Sequence, residues 1–348
     1  MNRAKQNPLI TVKDIKPTKP YLKVDGVFNC GATKLNNQYI LLLRVAESAV
    51  SDQDNIHIPI INNHSIEIKT IQKDDIRYDF GDSRTIKLKN GKVKYLTSLS
   101  HFRRAFSTDG IHFKIDETPW IFPESELETF GIEDPRITHI EDKYLITYTQ
   151  ASPYGVSVGL IETIDFVSYE RKGTILPVDN KDVSIFPEKI NNLYYMYHRP
   201  VPGDMGYPNM WVATSNDLYH WGNHKLLLSV SENGWDNGRV GGGAPAFKTD
   251  KGWVHIYHAA TLEDSTYGLG AFLTSIDDPS QITHRSLTPI LYPEADYETT
   301  GFFKNVVFTC GLIVENQNLL IYYGAADDKI CLATITLDEL YEKLVKVG

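Results

Sequence analysis

The chain has 348 residues, of which 42% are hydrophobic and 23% are charged, as is ordinary for a soluble globular protein. Its formal net charge of −9 argues against binding to nucleic acid or to an anionic membrane surface. No apolar run is long enough for a membrane span, no signal-peptide core opens the chain, and three cysteines are too few for a disulfide framework, so we expect a cytoplasmic protein.

At the N-terminus, residues 1–27 are extended and interrupted by prolines, and we expect them to supply a strand that closes the fold. Residues 48–95 form an irregular β-rich stretch in which Asn90-Gly91, between alternating strands, predicts a type I′ hairpin. Further on, Ser/Thr-x-Asp turns recur, and we interpret their aspartates as structural turn formers. These aspartates are Asp109, Asp165, Asp217 and Asp277.

Five stretches share one pattern, namely a short apolar strand, a polar turn and an aromatic-rich apolar strand. They are residues 29–43, 134–148, 184–197, 243–257 and 308–322. A strand-turn-strand unit repeated at intervals of tens of residues is typical of a propeller or a solenoid. We predict an all-β fold in which residues 1–348 form a single domain, a five-bladed β-propeller. The inner strands of the blades would converge on an axial funnel, where we expect the functional site.

The only helix predicted is the C-terminal one, residues 336–346. Thr336 and Glu339 form a capping box, and Leu337, Leu340 and Leu344 lie on one apolar stripe. We expect this short helix to pack on the outer wall of the propeller.

The strongest local signal for chemistry is Glu133-Asp134-Pro135-Arg136, at the start of the second repeat. A carboxyl group at the mouth of the funnel acts as a general acid if burial keeps its proton on near neutral pH. The alternative is an Asp-Pro turn whose arginine forms a structural salt bridge, and the motif alone favours that alternative.

Basic residues at related positions of the next repeats favour the catalytic interpretation of this motif over the structural one. Lys181 stands before the third inner strand, and Arg239 stands before the Gly241–Gly243 run. At the ends of partner strands are His198, Arg199 and His258. Arginine binds phosphate oxygens with two parallel hydrogen bonds, and lysine adds a point charge. An acid facing several cations suits a reaction between a neutral glycoside and an anion, whereas each cation taken singly suits a surface ion pair.

Other chemistries find little support. The histidines show no metal-ligand spacing, so we predict no metal. No nucleophile elbow or Cys/His pattern is present, and Cys30 and Cys310 are interpreted as packed inner-strand residues.

With these motifs the chain resembles the inverting β-mannoside phosphorylases over nearly its whole length. The resemblance is carried by residues 28–32, 41–45, 133–136, 181–189, 198–200, 241–245, 256–258, 289–294, 305–308 and 322–327. It implies a five-bladed propeller without a cofactor, with inorganic phosphate as co-substrate. It also implies that Asp134 is the proton donor, acting through the 3-hydroxyl of the mannose, and that phosphate attacks the opposite face to give α-mannose 1-phosphate.

The same resemblance assigns binding roles. Phosphate would be bound by Lys181, Arg199 and Arg239, with His198 or His258 nearby. The mannoside would be bound by Asn29, Arg44, Arg136, Asp182 and Asp327.

Several alternatives remain at this stage. We favour β-1,2-linked mannooligosaccharides over β-1,4-linked ones, because residues 48–95 are an extra stretch that would reshape the acceptor site or form a homodimer interface. A β-mannosidase would lack the phosphate cations. A furanosidase-type hydrolase would need a second catalytic carboxylate, for which Asp182 and Asp327 are the candidates. A carbohydrate-binding propeller without activity would have little use for an acid facing three cations.

Overall fold

A computed structural model describes residues 1–347 as a series of short strands with two very short α-helices. The strands of the first half are β1 (Asn2–Arg3), β2 (Ile10–Thr11), β3 (Leu22–Leu35), β4 (Gln38–Ala49), β5 (Asn55–Asn62), β6 (Ser65–Gln72), β7 (Tyr78–Asp82), β8 (Thr85–Leu88), β9 (Val93–Leu96), β10 (Leu99–Ser107), β11 (Lys114–Ile115), β12 (Ile132–Ile140), β13 (Lys143–Ser152), β14 (Gly155–Thr163) and β15 (Glu170–Leu176).

The strands of the second half are β16 (Asn180–Ile185), β17 (Tyr194–Pro200), β18 (Met210–Ser215), β19 (Gly222–Leu228), β20 (Arg239–Gly242), β21 (Phe247–Thr249), β22 (Gly252–Ala260), β23 (Tyr267–Thr274), β24 (Ile282–Ser286), β25 (Val307–Glu315), β26 (Asn318–Ala325), β27 (Lys329–Thr336) and β28 (Leu344–Lys346). The helices are α1 (Asp296–Thr299) and α2 (Leu337–Tyr341), and 3-10 turns span Val12–Asp14 and Glu126–Glu128. The all-β class predicted from the sequence is confirmed.

The strands form five larger sheets, each paired antiparallel. Sheet I has the order β11-β10-β4-β3, sheet II β12-β13-β14-β15 and sheet III β16-β17-β18-β19. Sheet IV has the order β20-β22-β23-β24-β28, with β21 also on β22, and sheet V has the order β1-β27-β26-β25, with β2 also on β27. Each of the five sequence repeats supplies the first hairpin of one of these sheets.

Apolar side chains are buried between consecutive sheets. One cluster packs sheet I on sheet II, and others pack II on III, III on IV, and IV on V. A fifth cluster, which includes Val27 and Leu43 of sheet I with Tyr322 and Ile330 of sheet V, joins the last sheet back to the first. Because burying one such side chain stabilises the fold by about 1.5–3 kcal/mol, these clusters join each sheet to the next.

The N-terminal segment belongs to the last sheet, as predicted. Strand β1 pairs with β27 through Arg3 and Ala333, and β2 pairs with the same strand through Ile10 and Ile330.

The stretch from residue 48 to 95 adds two small sheets, the hairpin β5-β6 and the three-stranded β7-β8-β9. The predicted hairpin at Asn90-Gly91 is confirmed, but its predicted turn type is wrong. Only Gly91 has a positive φ, 84°, and its N–H donates to the Leu88 carbonyl oxygen. This is a type I turn followed by a left-handed glycine, whereas a type I′ turn needs positive φ at Asn90 as well.

The C-terminal helix begins as predicted and ends earlier. The Glu339 N–H donates to Thr336 Oγ1 over 3.2 Å, and the Thr336 N–H donates to the Glu339 carboxylate over 3.0 Å, which is a capping box. Strand β28 then pairs with the open edge of β24, so Leu344 is buried in a sheet instead of a helix. No helix among residues 1–347 is long and apolar enough to cross a membrane.

Candidate active site

A polar cavity of about 210 Å³ lies where the first strands of the sheets meet. Its lining residues are Asn29, Arg44, Arg84, Asp134, Lys181, Asp182, Arg199, Arg239, Ser265, Tyr267, Phe303, Val306, Phe308 and Asp327. The structure therefore brings the predicted acid, the three predicted phosphate cations and most of the predicted mannose-binding residues into one cavity. Arg136, His198 and His258 do not line it.

Left-handed backbone at three equivalent bulges turns side chains into this cavity. Asn29, Asp134 and Asp182 have φ values of 49°, 53° and 57°. Each stands at a register shift in the first strand of its sheet, where two residues lie opposite one. Asn and Asp tolerate this conformation better than other residues with a Cβ, which explains why these residue types occur here.

Asp134 is held by one of its two carboxyl oxygens. Its Oδ1 accepts hydrogen bonds from Asn29 Nδ2 over 3.0 Å and from Arg44 Nη1 over 2.9 Å. Arg44 also donates to Glu133 over 2.8 Å, so the cation is shared between two adjacent carboxylates. Oδ2 of Asp134 has no hydrogen-bond partner among residues 1–347 and is the oxygen free to meet a substrate.

The charges around Asp134 favour its ionised form. Burial alone would raise the pKa of Asp134, but the charges of Arg44, Lys181 and Arg136 outweigh burial and hold that pKa below its ordinary value. The direction is opposite to our expectation that burial keeps a proton on this carboxyl. Any acid role of Asp134 therefore needs a change in the charge around it.

Asp327 is the cavity carboxyl whose pKa is raised. Burial, with the nearby charges of Asp134 and Glu133, raises the pKa of Asp327 to about 7, against the opposing effect of Arg44 and Arg84. The folded protein therefore binds a proton at Asp327 between pH 4 and pH 7 that the unfolded chain releases.

Asp327→Asn is expected to remove this pH dependence. Because the folded-state pKa of Asp327 is raised, its contribution to stability is present at low pH and is lost as the pH rises through about 7. The neutral amide avoids that loss, so the melting temperature of D327N at pH 8 should exceed that of the wild type by at least ~2 °C, with a smaller difference near pH 4. Thermal unfolding at both pH values measures this.

The matched control is Asp328→Asn, which alters the neighbouring carboxyl that pairs with Lys329. D328N keeps Asp327 and should therefore keep the wild-type loss of stability as the pH rises through about 7. A D327N protein that is no more stable than the wild type at pH 8 would show that Asp327 is ionised in the folded state.

The predicted phosphate cations differ in how far they are already paired. Arg199 donates from Nε to Asp182 over 2.6 Å, and Lys181 lies 3.6 Å from a Glu133 oxygen. Arg239 donates to the Tyr267 hydroxyl over 3.0 Å and has no carboxylate partner among residues 1–347. Lys181 and Arg239 are thus the cations with the most charge available to an incoming anion.

Arg136 acts inside the wall. Its side chain is 1% exposed and donates to the carbonyl oxygens of Gly243 over 2.8 Å, Gly242 over 2.6 Å and Asp134 over 3.0 Å. It also donates to Asp182 over 3.3 Å, so it connects sheets II, III and IV. These bonds leave Arg136 no route to the cavity, and its position is that of a support for the bulges at Asp134 and Asp182.

The Gly241–Gly243 run, two of whose carbonyl oxygens accept from Arg136, has no room for a Cβ at either end. A Cβ on Gly241 would stand 2.5 Å from an Asp182 carboxyl oxygen, and a Cβ on Gly243 would stand 2.4 Å from the Ile256 carbonyl oxygen. The Gly241–Gly243 run therefore serves close packing near the centre.

The two predicted phosphate-site histidines lie behind the cavity wall. His198 faces Asn180 with Nδ1 over 3.1 Å and His224 with Nε2 over 3.0 Å, and burial lowers its pKa to about 3. His258 Nε2 lies 3.2 Å from Asp182, and burial lowers its pKa to about 4 although Asp182 opposes this. Both rings are neutral at pH 7, and neither has a direct path to an anion in the cavity.

Two further observations concern alternative chemistry. Among residues 1–347, no group of three or more His, Cys, Asp or Glu side chains is arranged to hold a metal ion. Cys30 and Cys310 are fully buried in β3 and β25, as expected for packed inner-strand residues.

The chain is similar to a family of known proteins. The glycoside hydrolase family 130 profile, described as β-1,4-mannooligosaccharide phosphorylase, matches residues 93–346. A β-1,2-mannobiose phosphorylase from Listeria innocua is 44% identical, and the match covers 98% of each chain. A solved structure of the Listeria innocua β-1,2-mannobiose phosphorylase in complex with β-1,2-mannobiose aligns with a TM-score of 0.96 over 98% of each chain.

Two relatives match a shorter part of the chain. A 1,2-β-oligomannan phosphorylase from Thermoanaerobacter sp. is 40% identical over 71% of this chain and 82% of its own length. A β-1,4-mannooligosaccharide phosphorylase from Ruminococcus albus is 30% identical over 68% of this chain and 74% of its own. With the match to the family profile over most of its length, this chain belongs to glycoside hydrolase family 130, the family of mannoside phosphorylases.

Proposed function

We propose that this protein is an inverting phosphorylase that cleaves β-1,2-linked mannobiose or short β-1,2-mannooligosaccharides with inorganic phosphate. The products are α-mannose 1-phosphate and the shortened sugar. The observation that supports this most directly is the cavity that Asp134 shares with Lys181, Arg199 and Arg239. A hydrolase needs no anion site beside its acid, whereas a phosphorylase needs one.

The linkage is proposed from the relatives. The Listeria innocua protein that matches along the whole chain is a β-1,2-mannobiose phosphorylase, and its solved complex contains β-1,2-mannobiose. The β-1,4-acting relative from Ruminococcus albus is less similar and matches less of this chain.

In the proposed reaction, phosphate bound to the three cations attacks the anomeric carbon from the face opposite the leaving sugar. The bond from that carbon to the glycosidic oxygen breaks, and the oxygen takes a proton that starts on Asp134 and passes through the 3-hydroxyl of the mannose. Inversion of the β-mannoside gives the α-phosphate. Asn29, Arg44, Asp182 and Asp327 are proposed to bind the mannose, with Arg136 and His258 holding Asp182 in place.

Phosphate also supplies the change in charge that Asp134 requires. Its negative charge offsets the field of Lys181, Arg199 and Arg239, and this raises the pKa of Asp134 toward the range in which a carboxyl can donate a proton. Proton uptake at Asp134 would therefore accompany phosphate binding. Arg44 and Asn29 donate to this carboxyl, Glu133 shares Arg44 with it, and its charge acts on Asp327.

We infer the five-bladed propeller from the same arrangement. Five antiparallel sheets follow one another along the chain, and apolar clusters join each sheet to the next and the last to the first. The central cavity, lined by the first strands, occupies the position of the axial funnel.

Product analysis with and without phosphate tests the function. Incubation with β-1,2-mannobiose should yield α-mannose 1-phosphate, seen by phosphorus and proton NMR, and no cleavage when phosphate is omitted. Mannose release at the same rate without phosphate would identify a β-mannosidase. A parallel incubation with β-1,4-mannobiose tests the linkage, and faster phosphorolysis of that sugar would contradict the β-1,2 assignment.

A further inference from the structure

The inserted stretch delivers one cation to the active-site cavity. Arg84 lies in the turn between β7 and β8, and its side chain lines the same cavity as Asp134. The family profile begins its match at residue 93, so Arg84 lies outside the segment that the profile describes. Sequence analysis did not single out this residue.

Two neighbours fix the orientation of the Arg84 guanidinium. It donates from Nε and Nη2 to the two carboxyl oxygens of Asp82, over 3.2 Å each. Its central carbon lies 4.0 Å from the ring centroid of Phe303, the geometry of a cation–π contact. The side chain is therefore held in place before any ligand arrives, which lowers the entropy lost on binding.

The Arg84 guanidinium has N–H groups that no acceptor in the described part of the chain uses. A guanidinium has five N–H groups, and the pair with Asp82 uses one on Nε and one on Nη2. Within residues 1–347, Arg84 Nη1 has no acceptor in hydrogen-bonding distance. These free N–H groups belong to a residue on the cavity wall.

Exposure places Arg84 at the mouth of the cavity. Its side chain is 38% exposed, compared with 5% for Asp134 and 0% for Asp182. Asp134 and Asp182 therefore lie at the buried end of the cavity and Arg84 at its exposed end. A disaccharide whose scissile bond lies beside Asp134 would reach Arg84 with the sugar that is nearer the mouth.

Because Asp82 pairs with Arg84, Arg84 suits a neutral sugar better than it suits phosphate. Asp82 accepts two hydrogen bonds from Arg84 and offsets its charge, whereas Lys181 lies 3.6 Å from a Glu133 oxygen and Arg239 has no carboxylate partner among residues 1–347. Arg84 instead neighbours Phe303, which precedes β25, and Asp327, which lies in the turn between β26 and β27. Charged N–H groups beside an aromatic ring match the hydroxyls and the apolar face of a hexose.

We propose that Arg84 contacts the leaving mannose and makes the inserted β7-β8-β9 sheet a determinant of acceptor specificity. This inference rests on the proposed phosphorylase function. In the synthetic direction, Arg84 and its neighbours before residue 93 would then determine which sugar accepts mannose.

Steady-state kinetics of Arg84→Ala in both directions test the proposal. In synthesis from α-mannose 1-phosphate, R84A should raise the KM for mannose as acceptor by about tenfold or more, since it removes charged hydrogen bonds to that sugar. The KM values for α-mannose 1-phosphate and for phosphate should change by less than about threefold. R84K, which keeps a point charge but not the planar fork, should fall between R84A and the wild type.

The matched control is Arg77→Ala. Arg77 is on the same inserted stretch and pairs with Asp75 through the same Nε and Nη2 atoms, but its side chain is 72% exposed and does not line the cavity. R77A should keep wild-type kinetics. Melting temperatures of all variants show whether each is folded, and R84K carries the comparison if R84A is not.

The outcomes separate the two claims. A raised KM for phosphate or α-mannose 1-phosphate with an unchanged acceptor KM would assign Arg84 to the anion site and overturn the proposal. Unchanged constants in R84A would also overturn it. A wild-type protein that forms no α-mannose 1-phosphate would instead remove the phosphorylase function itself.

Discussion

Asp134→Asn is expected to lower the rate of phosphorolysis by about 10³-fold while the protein stays folded and still binds mannoside. The amide oxygen can accept the same hydrogen bonds from Asn29 and Arg44 that Oδ1 of Asp134 accepts. Asn also tolerates the left-handed backbone at φ 53°, which Ala would not. The substitution therefore removes the transferable proton and little else.

The measurement is α-mannose 1-phosphate release from β-1,2-mannobiose at saturating phosphate, with binding followed by calorimetry. Asp142→Asn is the matched control, because Asp142 is exposed in the turn between β12 and β13 of the same hairpin. D142N should behave as the wild type. Turnover by D134N within tenfold of the wild type would remove Asp134 from the acid role.

The double variant Lys181→Ala, Arg239→Ala is expected to lose phosphate-dependent activity. Each charge-assisted contact to a phosphate oxygen is worth about 1.5–3 kcal/mol, so losing two should lower kcat/KM for phosphate by about 10²–10⁴-fold. These two cations are chosen because Arg199 already binds buried Asp182, and its removal would leave that carboxylate short of a partner. The effect should therefore appear in phosphate kinetics instead of in stability.

Initial rates at varied phosphate and varied mannobiose measure the effect, and the KM for mannobiose should change much less than the KM for phosphate. Lys248→Ala is the control, because Lys248 pairs with Glu188 on a half-exposed surface away from the cavity. If the double variant kept the wild-type dependence on phosphate, these cations would not form the anion site.

The residues at the centre of the site could be predicted from the sequence because equivalent positions of the repeated hairpins occupy equivalent positions in successive sheets. Asp134, Lys181 and Arg239 stand at related points of successive repeats, and such residues face the same centre once the sheets assemble. The residue types at Asn29, Asp134 and Asp182 also carried information, since each occupies a left-handed bulge. Their backbone conformation could not be read from the sequence, because a bulge depends on the register of the partner strand.

Other roles depended on contacts that no local pattern contains. Arg136 belongs to the same motif as Asp134, yet its donors meet the main-chain carbonyls of Gly242 and Gly243 two sheets away. Arg84 lies outside the five repeated stretches, so no sequence pattern predicted that it would line the cavity. The pKa directions of Asp134 and Asp327 likewise follow from how neighbouring charges are distributed in space.

The end of the C-terminal helix shows the same limit. Apolar spacing after Thr336 is compatible with a longer helix, and the edge of β24 competes for the same residues. Pairing between Arg285 and Val345 is a tertiary contact, and it overrides the local preference beyond Tyr341.

Pairing of β1 and β2 with β27 means that sheet V is assembled from opposite ends of the described chain. The entropy of closing so long a loop must be met before these strands gain their hydrogen bonds, so β1 and β2 should be the last strands to join sheet V during folding. Amide hydrogen exchange at Ile10 and Ile330 should then report the first local opening of the folded protein, well before exchange within sheet II.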